Sequence, residues 1–167
     1  CALLGAGLKG AVGVFVQEDD GTRDSSTSRG LGDVDTGQED YHAMREGAGA
    51  KMFRFDEDLI SLRIWSPALR SPGLELVYTH NEDRILAFRR WSGSEEYLVV
   101  ASLNNDAFED GYPIVHDSLN GKTWLEILNS DDEDYGGSDV LNPEALTGGE
   151  DFKPRLPACG TVVFAKL

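Results

Sequence analysis

Thirty of the 167 residues are aspartate or glutamate, and three are histidine, so groups able to move protons or hold cations run along the whole chain. A glycosidase needs two carboxyls facing each other across one sugar bond. With thirty acids, pairs close in sequence carry no weight, and a solvated acidic surface is the plain reading. The densest run, Asp131-Asp132-Glu133-Asp134, invites calcium, an oxygen-seeking ion. Its spacing departs from an EF-hand loop. Counting from Asp132, position five is Gly136 and position twelve is Pro143, where a ligand and a bidentate glutamate belong. No metal site is therefore expected. His42, His80 and His116 are scattered, without the His-x-x-x-His pair by which a helix holds zinc. His116-Asp117-Ser118 contains the residue types of a hydrolytic triad, but sequence neighbours rarely converge on one point and there is no Gly-x-Ser-x-Gly elbow. A turn is expected there, with no catalytic residue and no cofactor.

Aromatic rings offer a different chemistry, because the C–H faces of a pyranose stack on π surfaces. Trp91 at a hairpin end, Tyr97 across from it, and Trp124 are the candidate carbohydrate-binding residues. The competing reading is that all three serve a hydrophobic core. Trp65, at a helix exit, reads as packing between helix and sheet.

Charge narrows the partners. Fifteen basic residues against thirty acidic ones give a net charge of -15, which repels phosphate backbones and anionic lipid. Nucleic acid and membrane surfaces are excluded on that basis, whereas neutral sugars remain open. No run approaches the roughly 20 apolar residues of a membrane span, and the apolar start Cys1-Ala2-Leu3-Leu4 lacks a basic region and cleavage site. A cytoplasmic protein is expected. Cys1 and Cys159 have no local metal or redox spacing and read as reduced thiols, with a disulfide between them as the alternative. A first residue other than Met suggests numbering that starts inside a longer reading frame.

The elements that must position these residues separate by period. Residues 1–51 are rich in glycine and acids, with one apolar run, Ala11–Val16, suited to a buried parallel strand, and a capping-box spacing at Thr36 and Glu39. Met52, Phe55, Leu59 and Leu62 then fall on one helical face, and Pro67 stops that helix, since the residue before proline leaves the α region. From Leu74 onward the pattern is β. Ile85–Trp91 and Tyr97–Leu103 flank Ser92-Gly93-Ser94 as a hairpin, and further runs lie at Tyr112–His116, Lys122–Leu128 and Thr161–Ala165. The expectation is a mainly β domain, an antiparallel Greek-key β-sandwich, preceded by one or two helices.

Several of these runs resemble, in order, the end of bacterial 1,4-α-glucan branching enzymes of the α-amylase superfamily. Asn129-Ser130-Asp131 with Tyr135-Gly136-Gly137 resembles their late loop, and Arg84-Ile-Leu-Ala-Phe-Arg-Arg-Trp91 the strand opening their all-β C-terminal domain. Leu62-Arg63 with Pro67-Ala68-Leu69 resembles the exit of the last barrel helix, and Leu156-Pro157-Ala158 with Val162-Val163-Phe164 the terminal strand. Val14-Phe15-Val16-Gln17-Glu18 resembles the eighth barrel strand more loosely. The resemblance implies a barrel remnant over 1–69, irregular before its helix, and an all-β domain over 70–167. The family's three catalytic carboxylates lie upstream of anything matched. The chain alone is therefore expected to be inactive, to support a missing catalytic barrel or pair with a second copy of itself, and to contact α-glucan weakly. A free-standing carbohydrate-binding module and a small hydrolase built on the sandwich are the alternatives.

Overall fold

The structure is a computed structural model that describes residues 47–167. The expectations at Ala11–Val16 and Thr36 lie outside the described residues. Two helices, α1 (Gly47–Trp65) and α2 (Pro67–Arg70), precede six strands: β1 (Leu74–His80), β2 (Ile85–Ser92), β3 (Glu95–Ser102), β4 (Thr123–Asn129), β5 (Leu146–Thr147) and β6 (Thr161–Lys166). They form one sheet in the order β1-β2-β3-β6-β4-β5, every neighbouring pair antiparallel. The mainly β antiparallel class stands, with β6 returning from the chain end to lie between β3 and β4.

The β2–β3 hairpin forms where expected. Ser92 pairs Glu95, so Gly93-Ser94 is a two-residue turn, and Gly93 has φ +61°, the positive value that twist-matched hairpin turns require. Strand β3 reads as a nearly continuous apolar run because both faces of the sheet are covered. On one face Ile85, Ala87, Leu98, Val100, Trp124, Val162 and Phe164 pack against Tyr112, Ile114, Leu119, Phe152 and Leu156 from the long connections. On the other, Tyr97, Leu128 and Val163 meet Ala68, Phe55, Leu62 and Leu69 from the helices.

The expected strand at Tyr112–His116 is instead irregular chain. It still lies against 152–156: Tyr112 N–H donates to Pro154 O (2.9 Å) and Ile114 N–H to Phe152 O (3.1 Å). Pro154 has no N–H to return the bond to Tyr112, and Phe152 N–H turns to Gly149 O, so only Phe108 and Leu156 exchange both bonds and a regular second sheet does not form. The layer facing the six-stranded sheet is thus built of coil held by half a ladder.

Helix α1 is already formed at Gly47, the first described residue, and Pro67 does end it: Ser66 is extended, and Pro67 opens α2, where its missing N–H costs nothing. Three residues depart from expectation. Leu59, expected on the inward face, is 42% exposed. Met52 is exposed rather than part of the inward face, and Trp65, expected between helix and sheet, is 69% exposed.

Candidate functional site

The strands carry the three candidate sugar-binding rings to different places. Trp124 is fully buried in the core beneath the long connections. Tyr97 projects to the opposite face, where its hydroxyl donates to Glu95 Oε1 (2.8 Å) and pairs with Ser66 Oγ (3.0 Å). Burial raises its pKa above the ordinary phenol value. Trp91 is half-buried, and its partner across the hairpin is Glu96, not Tyr97. The pairing Trp91–Glu96 on β2–β3, extended one step to Lys166 on β6 and on to Trp124 on β4, sets the two tryptophans on one row of the sheet. Three strand steps separate them, about 14 Å at ordinary strand spacing. The rings therefore do not form one platform, and Trp91 alone keeps solvent-facing area.

What surrounds Trp91 is charged. The Arg89 guanidinium lies 4.6 Å from its ring centroid. Arg89 bridges Glu75 on β1 and Glu96 on β3, and Glu96 also takes Lys122 Nζ at 2.7 and 3.0 Å and Lys166 Nζ at 3.6 Å. Burial pushes the Glu96 carboxyl up, but the hydrogen bonds from Lys122 and Arg89 outweigh it and hold the pKa below the ordinary carboxylate range. The Arg89 hydrogen bond likewise holds Glu75 down. A glycosidase acid must keep its proton near neutral pH. These two carboxylates are held ionised by shared cations, so they serve as a structural knot. Strand alternation makes the knot legible in retrospect, since Glu96 shares its face with buried Leu98 and Val100.

The acidic block forms a self-capping loop. Asp131 accepts Ser138 N–H (3.1 Å) and Val140 N–H (3.0 Å) on its two oxygens, Asp132 accepts Asp134 N–H (2.8 Å), and Asp139 accepts Glu133 N–H (2.9 Å). Gly137 packs on Asp131; a Cβ there would stand 2.0 Å from the Asp131 carbonyl oxygen, so only glycine fits. The loop then grips α1. Tyr135 donates to Asp58 Oδ2 (2.8 Å) and meets Phe55 edge-on at 5.2 Å, Asp134 pairs Arg54 at 3.0 Å, and Lys51 Nζ reaches Glu133 O at 2.8 Å. Lys51, Arg54, Phe55 and Asp58 are spaced as one helix face.

Below the loop sits a second anchor that the sequence reading missed. Glu126 accepts Asn142 N–H (3.1 Å), Asn142 Nδ2 (2.7 Å) and Asn129 Nδ2 (3.3 Å), while Asn142 also bonds both backbone groups of Arg155. Burial raises the Glu126 pKa against those hydrogen bonds. Its position on a strand facing a distant asparagine leaves no local spacing to read.

His116 and Ser118 do touch, Nδ1 to Oγ at 2.7 Å. The same Nδ1 accepts Ser118 N–H (3.2 Å), so the imidazole caps a short 3₁₀ turn, Asp117–Leu119, which is the turn expected. Among the described residues no three His, Cys, Asp or Glu side chains gather as metal ligands, and no helix is long and apolar enough to cross a membrane.

Residues 77–166, from the second half of β1 through β6, match the family model of the alpha amylase C-terminal all-beta domain. The chain is 32% identical over 148 residues to the 1,4-alpha-glucan branching enzyme GlgB of Cereibacter sphaeroides, covering 83% of this chain and 18% of that protein. It is 35% identical over 79 residues to the GlgB of Pseudomonas putida, covering 45% and 10%. A crystal structure of an alpha-amylase from H. orenii overlays with TM-score 0.47 at 22% identity, over 68% of this chain and 20% of that one. The chain thus spans less than a fifth of either curated relative. Because the matched segment takes in most of the sheet and the long connections that cover one of its faces, the chain belongs to the alpha-amylase C-terminal all-β domain family.

Proposed function

We propose that this chain is the non-catalytic C-terminal part of an α-glucan branching-enzyme-like protein, whose all-β module supports a neighbouring catalytic body and touches α-glucan at Trp91. One observation carries the reading: α1 and the edge strand β1 expose Ile60, Ile64, Trp65, Leu74 and Leu76. Exposed apolar side chains repeating at i and i+4 on α1 and at i and i+2 on β1 mark faces that another body covers. The similarity to two branching enzymes supports a catalytic body as that partner, and the ionised, cation-bound state of Glu75 and Glu96 supports a module without acid catalysis of its own.

Two measurements test it. Incubated with amylose, the chain alone is expected to leave iodine staining and chain-length distribution unchanged. Added to the C. sphaeroides branching enzyme cut before its matching region, it is expected to bind and raise the melting temperature of that truncated enzyme. New branches made by the chain alone, and lost on mutating one of its acids, would overturn the non-catalytic reading. Failure to bind the truncated enzyme would overturn the supporting one.

A further inference from the structure

Helix α1 does not seat flush on the sheet. Between them lies a half-open cleft of about 500 Å³, walled by Phe55 and Leu62 from the helix and by Phe88 and Val163 from the strands, with Arg63 and Arg90 at its lining. That volume and that composition, apolar walls with a few polar groups, are those of small-ligand sites, which run from about 300 to 1,000 Å³.

Arg90 gives the cleft its chemical sense. Its guanidinium donates through Nη2 to the Ser71 carbonyl, and its Nε is shut off from water without an acceptor. Adjacent Arg89 holds two carboxylates; Arg90 has none among the described residues, nor has Arg63. In a chain with twice as many acids as bases, an arginine that lines an apolar cleft and holds no carboxylate among the described residues leaves the solvent side of its guanidinium free for one. We infer that this cleft binds a small apolar carboxylate, its alkyl or aryl body between α1 and the sheet and its carboxylate on Arg90, with Arg63 beside it. A neutral sugar does not fit the apolar walls, and a cation is excluded by the two arginines. Ile60 belongs both to this cleft and to the exposed face assigned above to a neighbouring body, so the test uses the chain alone and its outcome is separate from binding to the truncated enzyme.

Octanoate is the probe, with octanamide as its neutral counterpart, titrated into the whole chain by calorimetry. Octanoate is expected to bind saturably and about tenfold or more tightly than octanamide, as a charge-assisted pair in an apolar site requires. Arg90→Gln should bring octanoate down to the octanamide affinity and leave octanamide unchanged. Leu59→Trp, which places a large ring on the exposed wall of the cleft, should abolish both. Thermal melts establish which variants fold; should Arg90→Gln not fold, the octanoate preference of the unmodified chain and its loss in Leu59→Trp decide. Absence of saturable octanoate binding, equal affinity for the two probes, or binding that survives Leu59→Trp would overturn the proposal.

Discussion

At the scale of single residues, burial sorts what the amino-acid type leaves ambiguous. Trp91 and Trp124 share a row of the sheet, yet one keeps solvent-facing area and the other has none. Trp124→Ala is expected to cost about 3–5 kcal/mol as a core truncation. Trp91→Ala should leave a cooperative melt and remove any retardation of the chain in starch affinity electrophoresis; retardation equal to the unmodified chain would clear Trp91 of glucan contact. Glu96 makes a prediction in pH. Its folded pKa lies below the ordinary value of 4.5, so its contribution to stability is present above that value and is lost as pH falls through the folded one. Melting temperature should therefore drop on acidification below about pH 4.5. Glu96→Gln should be destabilised by about 2–3 kcal/mol at pH 7, since three cations lose their shared anion, and should show a flatter acid limb. An acid limb unchanged in the variant would mean that other carboxylates set it.

At the scale of elements, the acidic loop couples helix to sheet, and that role can be separated from the stability of the sheet itself. Tyr135→Ala removes the edge-on contact with Phe55 and the bond to Asp58 without touching a strand. Amide exchange should speed up across α1 while β3 and β6 stay protected, with a loss of about 1–3 kcal/mol confined to the helix. Uniform acceleration across the sheet would show that α1 and the sheet unfold as one unit. This loop also marks the limit of what the sequence reveals. The hairpin, the helix stop at Pro67 and the strand runs at 122–128 and 161–165 were legible because period and turn chemistry are local. The destination of Asp131 through Asp139 was not, because a capped loop and a calcium loop use the same residues and differ only in where backbone N–H groups point. Strand content at Tyr112–His116 misled for a related reason: the proline that spoils its ladder, Pro154, lies forty residues downstream in the partner segment.

At the scale of the whole molecule, a sheet with a buried core stands beside an apolar surface that nothing among the described residues covers. Ile64 and Trp65 at the end of α1 lie on that surface, 45% and 69% exposed, and belong to neither buried cluster. Replacing them should therefore change association and leave folding alone. Ile64→Lys with Trp65→Ser is expected to keep the melting free energy within about 0.5 kcal/mol, as surface substitutions do. The same double variant should lose binding to the truncated branching enzyme, because a lysine in an apolar interface must be desolvated without a partner. Sedimentation across a concentration series distinguishes the other occupant of this face: if the unmodified chain dimerises and the variant is monomeric, the surface is closed by a second copy. A variant that melts many degrees lower would place these two side chains inside the fold's own packing and remove the basis for a docking face on α1.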